Sequence, residues 1–478
     1  MSVGLTVHER ASRVVAADLE IDALGPCQYP SPLAKRLAQT TIHYVGQADR
    51  VLLEDRRSDV IGRRDELEAV PSFELAGPRH QVFFDPTKLR CGIVTCGGLC
   101  PGLNNVVRGL VVELNHGYGV NQIFGFRYGY EGLVRRHGLG PVRLTPTVVA
   151  DAHHEGGTML GTSRGNQDPG EMVDRLQELD IGVLFVIGGD GTFRGAMSIV
   201  KEIERRKLSI GVIGIPKTID NDIHFIDRSF GFETAFSAAV DVIRSAHVEA
   251  TGARNGIGVV KLMGRHSGFI ACHAALASTD VDAVLIPEVP LRLEGPGGLF
   301  EYLEARLEEQ AHAVIVVAEG AGQELCELRT EGGAPATDAS GNVKLADIGV
   351  VLRDRTVQHF KRRRTEITLK YMDPSYHIRS VPALPADSVY CWNLARNAVH
   401  AAMAGNTNML IGRWHGHFVH VPMPLATRFR KQVNTSGDLW AAVVESTGQP
   451  HSFDIGEASQ VVDTSRVRPL DAPGAMSG

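Results

Sequence analysis

The chain has 478 residues, of which 43% are hydrophobic and 22% charged, and its formal net charge of -6 argues against general binding to nucleic acid or to anionic membranes. Seven cysteines form a sparse and odd set, which indicates a reducing compartment rather than a disulfide framework. The length of the chain predicts two or three domains. No segment approaches the ~18 apolar residues of a membrane span, so we expect a cytoplasmic protein with no membrane contact.

Residues 1–88 differ in amino-acid composition from the rest of the chain. They are rich in charge, as in the run Glu54, Asp55, Arg56 and Arg57, and contain few long apolar stretches. Residues 1–26 also lack the apolar segment of a targeting peptide. We interpret residues 1–88 as an N-terminal extension that packs on a neighbouring part of the protein rather than folding alone.

The first strong strand pattern covers residues 91–95, and it runs into a glycine-rich turn at residues 96–105 that contains Gly98. Apolar residues then recur with helical spacing from Val106 to Leu114. A strand, a glycine-rich turn and a helix can present backbone N–H groups to an anion. The pattern is weak evidence by itself, since such turns also connect strands to helices that bind nothing.

Two later loops carry further phosphate-type features. Residues 156–164 are rich in glycine and hydroxyl groups and end in Arg164, whose guanidinium suits a phosphate, although a solvated surface arginine is the simpler explanation for that residue alone. A strand pattern at residues 183–187 is followed by Gly188, Gly189, Asp190, Gly191 and Thr192. Glycines let the backbone approach a polyphosphate closely, and Asp190 can hold Mg²⁺ against it.

The apolar run at residues 210–215 reads as a buried parallel strand and is followed by Lys217, Thr218, Asp220 and Asp222. Ligands bind beyond the carboxyl ends of such strands. One carboxylate could take a proton while the other serves a cation. A polar turn that caps the next helix is the plain alternative for an isolated D-N-D sequence.

The second half of the chain repeats this pattern. A strand at residues 257–262 leads into Met263, Gly264 and Arg265, and a strand at residues 314–318 leads into Glu319. Residues 322–346 are predicted to form a loop, and an apolar helix from Val389 to Ala404 is predicted to return to the first half.

Taken in order, the motifs GGLCPGLN, YEGL, GGTMLGTSR, GGDGT, PKTIDND, MGRHSG and Y-x-I-R resemble the 6-phosphofructokinase family, in its long-chain, plant-type ATP-dependent branch. The resemblance covers roughly residues 70–425. GGDGT alone also occurs in NAD kinases and lipid kinases, which would not be expected to carry the lead-in at residues 73–79.

The resemblance implies the phosphofructokinase fold, an α/β architecture of two Rossmann-like lobes whose mostly parallel sheets are flanked by helices. The implied division is an N-terminal extension at residues 1–88, an ATP-binding lobe at 89–231 that is completed by about 380–425, a fructose 6-phosphate-binding lobe at 232–379, and a C-terminal extension at 426–478.

The resemblance also implies the reaction and its residues. Family members transfer a phosphoryl group to the 1-hydroxyl of fructose 6-phosphate, with Asp220 in the position of the general base, Lys217 and Thr218 beside it, and Asp190 in the position linked to Mg²⁺. The phosphoryl donor is expected at Gly98, Tyr130, Arg164, Gly188, Gly189, Gly191 and Thr192. The sugar phosphate is expected at Thr218, Asp220, Asp222, Arg254, Met263, Gly264, Arg265, Glu319, Lys370, Tyr376 and Arg379. Some of these cations come from a neighbouring subunit in the family, which implies a homodimer or homotetramer with shared active sites.

The identity of the donor is the open question. Glycine at the position of Gly191 is typical of ATP users, because an aspartate there would crowd and repel the α-phosphate, whereas lysine at the position of Lys217 is typical of pyrophosphate users. Plant-type ATP enzymes share this mixture, and we therefore favour ATP. A pyrophosphate-dependent enzyme is the first alternative, and a non-catalytic regulatory subunit ranks last because Asp220, Asp190 and Arg164 are intact.

Overall fold

The computed structural model describes residues 14–36, 42–57, 70–326 and 344–454. Strands of these residues are β1 Tyr29–Pro30, β2 Arg50–Leu52, β3 Ser72–Leu75, β4 Gln81–Val82, β5 Arg90–Thr95, β6 Gln122–Phe126, β7 Val142–Arg143, β8 Val183–Gly188, β9 Gly211–Pro216, β10 Gly256–Leu262, β11 Ala283–Leu285, β12 His312–Ala318, β13 Thr368–Met372, β14 Met409–Trp414 and β15 His417–Pro422. The α-helices are α1 Leu33–Arg36, α2 Leu103–Val112, α3 Pro169–Glu178, α4 Asp190–Arg205, α5 Phe232–Thr251, α6 Phe269–Ser278, α7 Leu299–Gln310, α8 Ile348–Arg362, α9 Ser375–Ile378, α10 Pro385–Met403, α11 Met423–Ala426 and α12 Asp438–Thr447.

The first lobe is built on a nine-stranded sheet in the order β2-β3-β15-β14-β9-β8-β5-β6-β7. Its centre, β14-β9-β8-β5-β6, is parallel, and antiparallel strands close both edges. Strands β8 and β9 are buried along their whole length, because helices cover both faces of a parallel sheet. Ile93 and Phe185 pack on the side of α2 and α10, whereas Val94 and Val186 pack on the side of α3 and α4.

The second lobe has a four-stranded, fully parallel sheet in the order β11-β12-β10-β13. β10 and β12 are again almost completely buried, and α5 and α6 pack on one face while α7 and α8 pack on the other. The predicted α/β architecture with two lobes and mostly parallel sheets is confirmed.

Helix α10 returns to the first lobe, where it packs on α2 and β9. It begins at Pro385, earlier than the sequence pattern predicts, because proline is favoured in the first turn of a helix. Val389, the first residue of the predicted helix, is 63% exposed. The packing face starts instead at Tyr390 and Cys391, which are buried.

The described parts of the two terminal regions pack on the lobes or extend their sheets. β2 and β3 extend the nine-stranded sheet beyond β15, so part of the predicted N-terminal extension at residues 1–88 joins the sheet of the first lobe. Helix α12 packs on α6 and β11 of the second lobe. Most of the predicted loop at residues 322–346 lies outside the described residues. The domain boundaries remain a prediction.

No helix among the described residues is long and apolar enough to cross a membrane.

Candidate active site

The carboxyl ends of β5 in the first lobe and of β10, β12 and β13 in the second lobe open onto a common cavity of about 600 Å³. The position is the one expected for a ligand of open α/β sheets. The cavity is lined by Gly97, Gly98, Leu99, Thr162, Ser163 and Arg164 from the first lobe and by Lys261, Met263, Arg265, Glu319, Asp373, Ser375, Tyr376 and Arg379 from the second. Seven of the predicted site residues are therefore brought together in one cavity.

Asp220 stands at the junction of the lobes, in the loop that follows β9. One carboxylate oxygen, Oδ2, accepts a hydrogen bond of 3.4 Å from the backbone N–H of Arg265 in the second lobe. The other, Oδ1, is enclosed and has no hydrogen-bond partner among the described residues. Burial, and then the neighbouring negative charges of Asp222 and Glu319, raise the pKa of Asp220. A carboxylate with an unused acceptor in this position is suited to take a proton from a bound hydroxyl.

The loop around Asp220 is held by its neighbours. Asn221 adopts a left-handed conformation with φ 55°, and its side-chain oxygen accepts a hydrogen bond of 2.9 Å from the backbone N–H of Ser229. The Thr218 hydroxyl donates to Asp222 Oδ1 at 2.6 Å. The Lys217 ammonium is buried and donates to the backbone carbonyl of Gly98 at 2.8 Å, and burial lowers the pKa of this lysine. Lys217 thus ties the loop after β9 to the glycine-rich turn after β5.

The turn between β8 and α4 forms the predicted donor side. A Cβ at Gly188 would lie 2.4 Å from the side chain of Thr192, so the close packing of strand and helix requires glycine. A Cβ at Gly191, by contrast, would meet no heavy atom within 4 Å. Tyr130 lies beneath this turn and donates from its hydroxyl to the backbone carbonyl of Thr192 at 2.7 Å. Gly191 therefore faces open space, whereas Tyr130 contacts the turn from the inside.

Asp190 begins α4, where an anion is favoured by the helix dipole. Its Oδ2 accepts hydrogen bonds from Arg194 at 2.6 Å and from Arg430 at 3.3 Å, while its Oδ1 is enclosed and has no hydrogen-bond partner among the described residues. Mg²⁺ is usually held by one or two carboxylates together with water and substrate phosphates. No cluster of three or more metal-binding side chains occurs in the described part of the chain. The unused oxygen of Asp190 fits an ion that arrives with a phosphorylated substrate.

Arg265 and Glu319 both line the second-lobe side of the cavity. One guanidinium nitrogen of Arg265 is enclosed and has no hydrogen-bond partner among the described residues. Burial raises the pKa of Glu319. Gly264 has φ 130°, and a Cβ there would lie 2.5 Å from the backbone oxygen of Ser267, so this turn also requires glycine. Met263 lines the same wall.

Two further cations point toward the glycine-rich turn. An ideal Cβ on Gly98 would lie 3.6 Å from an Arg164 nitrogen and 3.9 Å from an Arg379 nitrogen, which shows that both guanidinium groups approach this turn. Arg379 stacks over the ring of Tyr376 at 4.6 Å, and Tyr376 is 75% exposed. Two guanidinium groups beside a glycine turn are suited to anionic ligands.

Arg254 and Lys370 are not brought into this cavity. Both are exposed, and Arg254 precedes β10, at the end of the strand opposite to the site. Lys370 lies opposite Gly258 on the edge strand β13. Within one chain these two residues therefore do not line the cavity that contains Arg265 and Glu319.

Sequence reasoning missed Lys261 and Asp373, which line the cavity, and Arg430 beside Asp190. Lys261 donates to Asp347 at 2.9 Å and forms an ion pair with Asp373 at 2.8 Å. A lysine inside the otherwise apolar strand β10 was the signal that could have revealed it. Arg430 lies in the predicted C-terminal extension, where its own surroundings give no such signal.

A second cavity of about 440 Å³ lies at the opposite, amino-terminal ends of β5, β8 and β9. Its lining includes Phe84, Lys88, Arg90, Asp180 and Ser209. None of the predicted site residues lines it, so this second cavity is separate from the site around Asp220.

Comparison with known proteins identifies the family of the chain. The chain matches the family model described as Phosphofructokinase over residues 90–402. It is 52% identical over 443 residues to the ATP-dependent 6-phosphofructokinase of Amycolatopsis methanolica, a match that covers 91% of this chain and 96% of that relative. It is 45% identical over 449 residues to ATP-dependent 6-phosphofructokinase 7 of Arabidopsis thaliana, with 94% and 90% covered. The solved pyrophosphate-dependent phosphofructokinase from Marinobacter aquaeolei superposes with a TM-score of 0.61 at 19% identity, over 73% of this chain and 87% of that chain, and this likeness concerns the fold alone.

Proposed function

The chain belongs to the phosphofructokinase family, and on that premise we propose that it is an ATP-dependent 6-phosphofructokinase of glycolysis. It transfers the γ-phosphoryl group of ATP to the 1-hydroxyl of D-fructose 6-phosphate and yields fructose 1,6-bisphosphate and ADP. The observation that carries the proposal is the position of Asp220. This carboxylate has an unused oxygen and lies between the glycine turns of one lobe and the basic wall of the other.

Asp220 is the proposed general base. Its Oδ1 takes the proton of the 1-hydroxyl as that oxygen forms a bond to the γ-phosphorus, and the bond from this phosphorus to the bridging oxygen of ADP breaks. The backbone N–H of Arg265 keeps the carboxylate oriented through Oδ2. Thr218 is held by Asp222, so its hydroxyl is positioned beside the path of the phosphoryl group.

The donor is proposed to lie along the turns that contain Gly98, Gly188, Gly189, Gly191 and Thr192, with Arg164 at its phosphates and Tyr130 supporting the turn. Asp190 would hold Mg²⁺ through its unused oxygen, with Asp222 nearby. A bound Mg²⁺ supplies positive charge that offsets the charge on the phosphates. Lys217 donates to the carbonyl of Gly98 and thereby holds the loop that carries Asp220 against the donor turn that contains Gly98.

The acceptor is proposed to lie in the second lobe, where Glu319 accepts from sugar hydroxyls and Arg265, Tyr376 and Arg379 face its phosphate, with Met263 and Gly264 on the same wall. Arg254 and Lys370 would reach the phosphate of the adjacent copy, because they lie outside the cavity of their own chain. We therefore propose a homodimer or homotetramer with shared sites. The seven cysteines are all free, which supports a cytoplasmic location.

The donor can be decided by one experiment. The purified protein is given fructose 6-phosphate and Mg²⁺, and fructose 1,6-bisphosphate formation is measured with ATP and with pyrophosphate in parallel. Activity with ATP alone is expected, because Gly191 leaves the space beside Asp190 open. Activity with pyrophosphate would instead favour the second candidate, for which Lys217 is the specific observation. Binding of fructose 6-phosphate without turnover of either donor would point to a non-catalytic subunit.

A further inference from the structure

A short segment near the C-terminus crosses between the two lobes. This interlobe segment, residues 428–433, follows α11 on the first lobe and precedes α12 on the second. The backbone N–H of Lys431 donates to the carbonyl of Asp222 at 2.8 Å, and Arg430 forms an isolated bridge with Ile223. At the other end, the N–H of Val433 donates to Glu288 Oε1 at 2.8 Å. The segment is thus fixed against the loop that carries Asp220 and Asp222.

The fixed backbone directs Arg430 at two carboxylates of the donor side. One guanidinium nitrogen of Arg430 donates to Asp190 Oδ2 at 3.3 Å, and the other lies 3.8 Å from Asp222 Oδ2. The Arg430 side chain is 36% exposed, so solvent partly screens these ion pairs while the protein still encloses most of the side chain. A planar guanidinium has separate donors for two partners, which an ammonium at one point does not provide.

We propose that Arg430 is a positioning residue that neutralises Asp190 and Asp222 in the nucleotide-free protein. Its positive charge beside Asp190 lowers the affinity of the unused Asp190 oxygen, Oδ1, for a free divalent metal. This inference rests on the proposed role of Asp190 in the phosphotransferase reaction. The repulsion between the Arg430 charge and the metal ion makes binding of the metal alone weak. A metal that arrives with a triphosphate brings its own oxygen ligands, and the phosphates give Arg430 a new anionic partner. The site therefore favours the metal–nucleotide complex over the free metal.

Arg430 lies outside the residues that match the family model, because that match ends at residue 402. Arg194 provides a useful comparison within the site. It donates to the same oxygen of Asp190 at 2.6 Å, but from one turn further along α4 and with a side chain that is 61% exposed. Arg430 differs in that it joins Asp190 to Asp222, which belongs to a different loop.

The test is the affinity of the nucleotide-free protein for Mn²⁺, measured from the electron paramagnetic resonance signal of free Mn²⁺. The Arg430→Gln variant should bind Mn²⁺ about two- to fivefold more tightly than the original protein, the range expected for removing one partly exposed ion pair. Arg428→Gln is the matched control. Arg428 lies in the same segment but pairs with Asp18 at 3.0 Å, and its loss should leave Mn²⁺ binding unchanged.

The gain should disappear in a double variant that combines Arg430→Gln with Asp190→Asn, since the added affinity is assigned to Asp190. Arg430→Lys keeps the charge at a single nitrogen and should show a smaller gain, which also covers the case in which Arg430→Gln does not fold. Unchanged or weaker Mn²⁺ binding in the folded Arg430 variants would overturn the proposal, as would a gain that survives Asp190→Asn. These results are independent of whether the original protein turns over ATP and fructose 6-phosphate, so a failure of this proposal is distinct from a failure of the proposed function.

Discussion

Replacement of Gly191 by aspartate tests the choice of donor most directly. An ideal Cβ at this position meets no heavy atom within 4 Å, and the residue is exposed at the start of α4. The aspartate side chain can therefore be accommodated without movement of the protein. Its carboxylate would stand beside Asp190 and add a negative charge where we place the phosphates of ATP.

The size of the effect follows from electrostatics. Two unit charges about 5 Å apart interact by about 3 kcal/mol at an effective dielectric constant of about 20. The N-terminus of α4 favours a negative charge by about 0.5 kcal/mol and offsets a small part of this repulsion. The remaining penalty of about 2.5 kcal/mol corresponds to a loss of about 70-fold in kcat/KM for ATP. Pyrophosphate is smaller than ATP and has no α-phosphate bearing a nucleoside, so kcat/KM for pyrophosphate should fall less than kcat/KM for ATP.

The assay is a steady-state measurement of kcat/KM for both donors at saturating fructose 6-phosphate, with Gly191→Asp compared to the original protein. Gly191→Ala is the matched control, because it adds a Cβ in open space without charge and should change kcat/KM by less than about threefold. Thermal unfolding should be unchanged in both variants. If the original protein also uses pyrophosphate, equal losses of kcat/KM for the two donors would refute the argument. A loss of kcat/KM for ATP in Gly191→Ala as large as that in Gly191→Asp would refute it whichever donors the protein uses.

Three other predictions concern the base, the interlobe contact and the wall of the cavity. Asp220→Asn should lower kcat by about 10²- to 10⁴-fold while fructose 6-phosphate binding, measured by calorimetry, stays within a few-fold, and near-normal turnover would exclude Asp220 as the base. Burial raises the pKa of Glu288 from 4.5 to about 7, which means that the folded protein favours the neutral form of this side chain. The contribution of Glu288 to the free energy of unfolding is therefore complete below pH 4.5, and it falls by about 3 kcal/mol at most as the pH rises through about 7. The free energy of unfolding in urea should therefore fall less between pH 5 and pH 8 in Glu288→Gln than in the original protein. Glu249→Gln, at an exposed position, should show the same fall as the original protein. Lys261→Met leaves Asp347 and Asp373 without their shared cation and should destabilise the protein by about 1–3 kcal/mol while raising KM for fructose 6-phosphate more than KM for ATP, and an equal rise for both substrates would contradict its placement on the sugar side.

The central strands could be predicted because their sequences are almost entirely apolar. β8 and β9 lie under helices on both faces, and such burial leaves a continuous run of apolar residues in the sequence. Because the strands are parallel, the polar residues that follow them meet at one edge of the sheet. This is why Asp190 and Asp220, which follow β8 and β9, could be expected at one edge of the sheet. Glu319 follows β12 of the other sheet, and it was assigned to the same site by the family resemblance. Their chemical roles remain predictions.

The edge strands could not be predicted in the same way. β2 pairs with β3 across a stretch of charged sequence, and β3 pairs with β15, which lies far away in the chain. Short antiparallel edge strands have one exposed side and lack a continuous apolar pattern. Their place in the nine-stranded sheet is decided by the partner strand and not by their own residues, so the sequence of residues 1–88 indicates only an appended segment.

Arg430 likewise could not be predicted from its own part of the sequence. A basic residue in a polar segment is usually a solvated surface residue, and the sequence near Arg430 favours that interpretation. Its contacts depend on the backbone hydrogen bond from Lys431 to Asp222, which joins two segments that are far apart in sequence. Because Asp190 and Asp222 follow different strands, a single guanidinium can reach both only after the sheet has brought those strands side by side. The charge balance of the donor site is therefore a property of the folded lobes, and a variant that detaches the interlobe segment should alter metal binding even though every residue of the recognised motifs is intact.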